Sequence, residues 1–69
     1  MTDPIYRVTE VVGTSTESVA QAIKNGVGRV GKTVRNVEWF EVTDTRGAVG
    51  TDGAITFQVA LKVGFRLEG

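Results

Sequence analysis

The stretch Ile55–Leu67, ITFQVALKVGFRL, alternates along its whole length. Ile55, Phe57, Val59, Leu61, Val63, Phe65 and Leu67 share one parity, and Thr56, Gln58, Ala60, Lys62, Gly64 and Arg66 the other. Successive side chains of a strand point to opposite faces, so this is a long β-strand with one core face and one face left for water or an interface. It follows GTDGA (residues 50–54), whose Asp52-Gly53 pair tolerates the positive φ angles of a tight hairpin turn. That turn joins it to a second strand in RNVEWFEVTDTRG (residues 35–47).

Upstream, PIYRVTEVVG (residues 4–13) is rich in β-branched and aromatic residues and predicts a strand from Ile5 to Val12, stopped by Gly13. In TSTESVAQAIKNGVGRVGKTV (residues 14–34), Thr14 stands three residues before Glu17, the spacing of a capping box. Val19, Ile23, Val27, Val30 and Val34 then recur at helical spacing as one apolar stripe. Lys24, Arg29, Lys32 and Arg35 gather toward the C-terminal half, where cations suit the helix dipole and a solvated face. Gly26, Gly28 and Gly31 fall inside the helix, each at a cost of about 1 kcal/mol relative to alanine. Either the helix is weakened there or another backbone packs closely against the glycines. The run GVGRVG is not a phosphate loop, because the G-x-G-x-x-G fingerprint has to follow a strand and open a helix.

The order strand-helix-strand-strand predicts an α+β fold: a three-stranded antiparallel sheet in the order 1-3-2, with one helix on one face. A helix of some 20 residues spans about 30 Å, whereas a strand of some 13 residues spans roughly 43 Å. The last strand therefore outruns its cover. With 69 residues and no cysteine, a domain over 1–69 has a small core and no disulfide to support it, and partner chains are the remaining route.

Composition narrows the function classes. Eight Lys plus Arg against eight Asp plus Glu leave no net charge, which argues against nucleic-acid binding. Without histidine or cysteine, the usual general base, thiol nucleophile and transition-metal ligands are missing, so an enzyme is not expected. The opening MTDPIYR lacks a basic segment followed by an apolar run, and no apolar run nears membrane-span length. A cytoplasmic protein is expected.

In NVEWFEV (residues 36–42), Trp39 shares its parity with Val37, Glu41 and Thr43, and Phe40 shares its own with Glu38, Val42 and Asp44. Both sets are half apolar, so the pattern leaves open which faces the helix. If Phe40 and Val42 join Phe57 and Val59 under the helix, Trp39 is left on the uncovered face with Gln58. A flat aromatic beside a neutral amide suits recognition of a flat heterocycle.

The runs IYRVTEVVGTSTES (5–18), VRNVEWFEVTDTRG (34–47) and DGAITFQVALKVGFRLE (52–68) resemble the dodecins, small flavin-binding proteins. The resemblance covers Ile5 to Glu68. It implies a sheet wrapped partly around one helix and a hollow shell of twelve identical subunits, with flavin pairs stacked between tryptophans of neighbouring subunits. Carried over, Trp39 is the stacking residue and Gln58 the amide that meets the isoalloxazine edge. Arg46 and Arg66 are implied for a phosphate or other anionic group, and Asp44 for ribityl hydroxyls; an intersubunit ion pair or a solvated charge is the alternative for either arginine. The flavin implied is FMN, with riboflavin and FAD as alternatives, and its implied role is storage and shielding from light. The other readings are a shell that binds a coenzyme A-like nucleotide, a purely structural assembly, and a small enzyme using the same pocket. Ala54, Ala60 and the loop GAVGTDG are smaller than is usual in the family.

Overall fold

A computed structural model describes residues 3–68. Its elements are β1 (Tyr6–Ser15), α1 (Val19–Gly31), β2 (Val37–Val49) and β3 (Ile55–Arg66). They form a three-stranded sheet in the order β1-β3-β2, antiparallel at both pairings, with the strand of continuous alternation at its centre. The β2–β3 turn is closed by Gly50 N–H donating to Ala54 O at 2.7 Å and Gly53 N–H donating to Gly50 O at 2.9 Å. Gly53 takes φ +85°, the left-handed conformation for which glycine carries no penalty.

Two expected boundaries move. Gly13 does not stop β1, which stays paired with β3 through Thr14↔Gln58 and Ser15↔Phe57. The helix therefore starts later and lacks the Thr14–Glu17 capping box. Its N-cap is Ser18, whose hydroxyl accepts from Gln21 N–H at 2.9 Å, while Ser15 Oγ accepts from Glu17 N–H at 2.9 Å. At 13 residues, α1 spans about 20 Å, even less of the sheet than the sequence implies. Val34 lies beyond the helix yet still packs on the core. Asn36, at φ 65°, turns the chain into β2 and donates through Nδ2 to Arg66 O at 3.3 Å.

The core is Ala22 and Val30 from α1 against Val59, Leu61 and Val63 from β3, flanked by Val11, Val19, Ile23, Val27, Val34 and Val37. Gly13 and Gly26 make the close fit possible. A Cβ on Gly13 would run into the Ala22 carbonyl oxygen, and one on Gly26 would stand 2.8 Å from Leu61 Cδ1 and 3.2 Å from Gly13 Cα. Helix and strand backbones therefore meet through two glycines, which accounts for Gly26. Gly28 and Gly31 have nothing within 4 Å of an added Cβ.

The core ends early. From Glu38 onward β2 is exposed, and Val8, Val12, Phe40, Val42, Val49 and Ile55 are large apolar side chains left at least two-fifths exposed. The molecule is drawn out to 55 × 20 × 14 Å.

Candidate functional site

Residues opposite each other in adjacent strands share a face, so the register fixes what the uncovered face carries. β3 supplies Arg66, Gly64, Lys62, Ala60 and Gln58 in turn. Opposite these, β1 places Tyr6, Val8, Glu10, Val12 and Thr14. From β2, Trp39 lies opposite Gly64, Glu41 opposite Lys62, Asp44 opposite Ala60 and Arg46 opposite Gln58.

This set breaks the parity of β2, because the register shifts between Val37 and Trp39 and again between Val42 and Asp44. A bulge places two residues against one and reverses the alternation beyond it. The first shift leaves Val37 opposite Phe65 on the helix side and Trp39 opposite Gly64 on the open side. The second makes Thr43 the extra residue, its hydroxyl donating to Ala60 O at 3.2 Å, and returns Asp44 and Arg46 to the face that Trp39 occupies. Phe40 and Val42 lie opposite the buried Val63 and Leu61, and Phe40 forms a groove of about 540 Å³ with Ala20, Ile23, Lys24, Val27 and Gly28 of α1.

At one end of the open face, the Trp39 indole lies directly on Gly64. A Cβ there would run into its Cε2, Cζ2 and Cδ2 atoms. The indole is 39% exposed, and the Tyr6 ring meets it edge-on, with centroids 6.1 Å apart and planes at 63°. Tyr6 OH donates to Glu38 Oε1 at 2.8 Å, and Glu38 Oε2 lies 3.5 Å from Arg66 Nε. The hydrogen bond to Glu38 is the main cause holding the Tyr6 phenol above its ordinary pKa. Sequence reasoning missed Tyr6, Glu38 and Gly64 as parts of this end. For Tyr6 and Gly64 the signal was available in strand parity; for Glu38 it was not, because its place depends on the bulge.

At the other end, Arg46 Nε donates to Gln58 Oε1 at 3.1 Å and Arg46 Nη1 to Asp44 Oδ2 at 3.0 Å. Asp44 Oδ1 accepts from Thr45 N–H at 2.9 Å. Both arginines assigned from the sequence thus carry a carboxylate partner within the chain. Trp39 and Gln58 share the open face but are not side by side. Gln58 and Gly64, which lies under Trp39, are six strand positions apart, about 20 Å. Within one chain, Trp39 with Arg66 and Gln58 with Arg46 and Asp44 form two separate groups at opposite ends of the open face.

The family model for dodecin matches residues 5–68. The chain belongs to the dodecin family. It is 47% identical to the dodecin of Thermus thermophilus over 64 residues, 93% of each chain. The dodecin structure from Streptomyces coelicolor superposes with a TM-score of 0.90 at 53% identity, covering 100% of this chain and 99% of that one. More distant is the calcium dodecin of Mycobacterium tuberculosis, at 32% identity over 93% of this chain and 90% of its own. Dodecins are small binding proteins. Among the described residues, no group of three or more carboxylates gathers as a metal ion requires, and no helix is long and apolar enough to cross a membrane.

Proposed function

We propose that this dodecin is a single domain over 1–69 that binds a flavin, FMN foremost, as a cytoplasmic hollow homododecamer that stores the flavin and shields it from light without catalysing a reaction. The observation that carries this reading is the indole of Trp39, held open and flat on Gly64, on the same sheet face as the Gln58 amide but a strand's length away. A two-fold-related copy laid face to face exchanges the two ends, so Trp39 of one subunit meets Gln58 of the next. As half-sites, the two groups then complete each other, and a planar ring system stacks on the indole while its polar edge meets the amide. Storage needs no proton transfer, in keeping with a chain that has no histidine or cysteine.

Arg66 is the residue proposed for the ligand's anionic group. A guanidinium has five N–H donors, so the contact of its Nε with Glu38 leaves others to offer. Assembly is supported by the apolar side chains stranded outside the small core, among them Val12 at 50%, Val49 at 75% and Ile55 at 50% exposure.

The test is a flavin titration followed by fluorescence quenching, with light scattering on the same sample. The parent binds and scatters as a closed oligomer, whereas Trp39→Ala keeps the oligomer and loses most of the affinity. A monomer near 7.4 kDa, or an oligomer that quenches no flavin, refutes the reading; in the second case the other occupants are a coenzyme A-like nucleotide or none.

A further inference from the structure

We infer that Arg46 is a positioning residue for Gln58, and that Gln58 consequently faces the ligand as a hydrogen-bond donor. The half-site then selects a ring edge that presents an acceptor carbonyl. This rests on the flavin reading for the identity of the ligand but on this chain's own contacts for the orientation of the amide.

A guanidinium only donates. The side-chain atom of Gln58 that lies 3.1 Å from Arg46 Nε is therefore its oxygen, and turning the amide over would set N–H against N–H. Among the described residues, no hydrogen bond takes up the Gln58 amide nitrogen, which keeps both N–H donors for a ligand, while Arg46 occupies one of the two lone pairs of Oε1. Arg46 is itself held from behind: its Nη1 reaches Asp44 Oδ2 at 3.0 Å, and Asp44 Oδ1 is tied to the backbone N–H of Thr45 at 2.9 Å. The bulge at Thr43 makes this chain possible by placing Asp44 and Arg46 on the same face as Gln58.

The same contacts argue against Arg46 as the anion ligand. Two of its donors, Nε and Nη1, are already taken up by Gln58 and Asp44 at 3.1 and 3.0 Å, whereas the Arg66 Nε contact with Glu38 is longer, at 3.5 Å. Nor is the pair a stability device, because Arg46 and Asp44 are 47% and 62% exposed, and ion pairs this open contribute little. What remains is geometry: a planar, two-pronged donor that fixes one orientation of a flexible amide. An isoalloxazine edge offers two carbonyl oxygens flanking a ring N–H, and a Gln58 donor pairs with a carbonyl while leaving the N–H to another partner.

The experiment compares riboflavin, which lacks a phosphate, with FMN on the parent and on Arg46→Ala, Gln58→Leu, Gln58→Glu and the Arg46→Ala/Gln58→Leu double variant. Freeing one ordered side chain should weaken Arg46→Ala by about 2- to 12-fold, equally for both ligands. In the Gln58→Leu background Arg46→Ala should change nothing further. Gln58→Glu keeps an oxygen for Arg46 but removes the donor, and should lose at least as much affinity as Gln58→Leu. High-resolution structures without ligand should show Gln58 as a single conformer on Arg46 in the parent and as several in Arg46→Ala. A loss confined to FMN, losses that add in the double variant, parent-like binding by Gln58→Glu, or a Gln58 unaffected by Arg46→Ala each overturns the inference. If the parent binds neither probe, the flavin reading fails, and the ligand-free structures still decide whether Arg46 positions Gln58.

Discussion

Gly64→Ala should damage the site without damaging the fold. The Trp39 indole occupies the space where a Gly64 Cβ would sit, and the nearest atoms, Cε2, Cζ2 and Cδ2, are the body of the ring rather than a flexible tip. The added methyl therefore displaces the whole indole. Because Trp39 is 39% exposed, it can swing toward solvent, and the core residues Val59, Leu61 and Val63 on the other face of β3 are not disturbed. For stability, replacing a strand glycine by alanine recovers about 0.5–1 kcal/mol of backbone entropy, while losing the edge-on Tyr6 contact costs about 0.5–1.5 kcal/mol. Those two nearly cancel, but forcing the ring body off its seat adds an overpacking cost of about 1–3 kcal/mol, so the melting midpoint should fall modestly while the oligomer persists. For binding, stacking a flat ring on an aromatic side chain contributes about 1–3 kcal/mol, so flavin affinity should fall about 5- to 150-fold. Fluorescence-quenching titration measures the affinity, and near-UV circular dichroism reports the loss of the fixed indole environment. Gly47→Ala is the control, since a Cβ there meets only Thr56 O at 3.6 Å, and it should bind as the parent does. A Gly64→Ala variant with parental affinity would show that the indole's seat on Gly64 has no part in binding.

The helix glycines should separate in sign. Gly28→Ala meets nothing within 4 Å and should stabilise by about 0.5–1 kcal/mol. Gly26→Ala, pressed against Leu61 Cδ1 and Gly13 Cα, takes an overpacking cost of about 1–3 kcal/mol and should fall below Gly28→Ala in denaturant midpoint at equal protein concentration; equal midpoints would refute the close backbone approach. Tyr6 is the chain's one tyrosine, so its titration can be followed by ultraviolet absorbance, and its midpoint should lie above the ordinary value of about 10. Since the folded value is raised, this group's contribution to stability is complete below the unfolded pKa and is lost as pH rises through the folded one. Glu38→Ala should bring the midpoint down, and an unchanged midpoint would mean that the Tyr6–Glu38 hydrogen bond is absent in solution.

Much of this molecule is set by local pattern. The alternation of Ile55–Leu67, the helical stripe from Val19 to Val30 and the Asp52-Gly53 turn each depend on residues a few positions apart, so the strand order, the single helix and the shortage of cover were legible without coordinates. The residues of the open face, Trp39, Asp44, Arg46, Gln58 and Arg66, could also be named, through family likeness. Tertiary structure decided how they are grouped. Strict parity sets Trp39 with Val37 and Thr43, and Asp44 with Phe40. The bulges instead send Val37 to the core, Trp39 onto Gly64, and Asp44 and Arg46 round to Gln58. A bulge is a property of two strands, fixed by which residue of β3 each residue of β2 must match, and that partner is distant in sequence. For the same reason Gly13 became a point of helix contact rather than a strand end, because the helix that approaches it is positioned only when Ala22, Val30 and Leu61 pack.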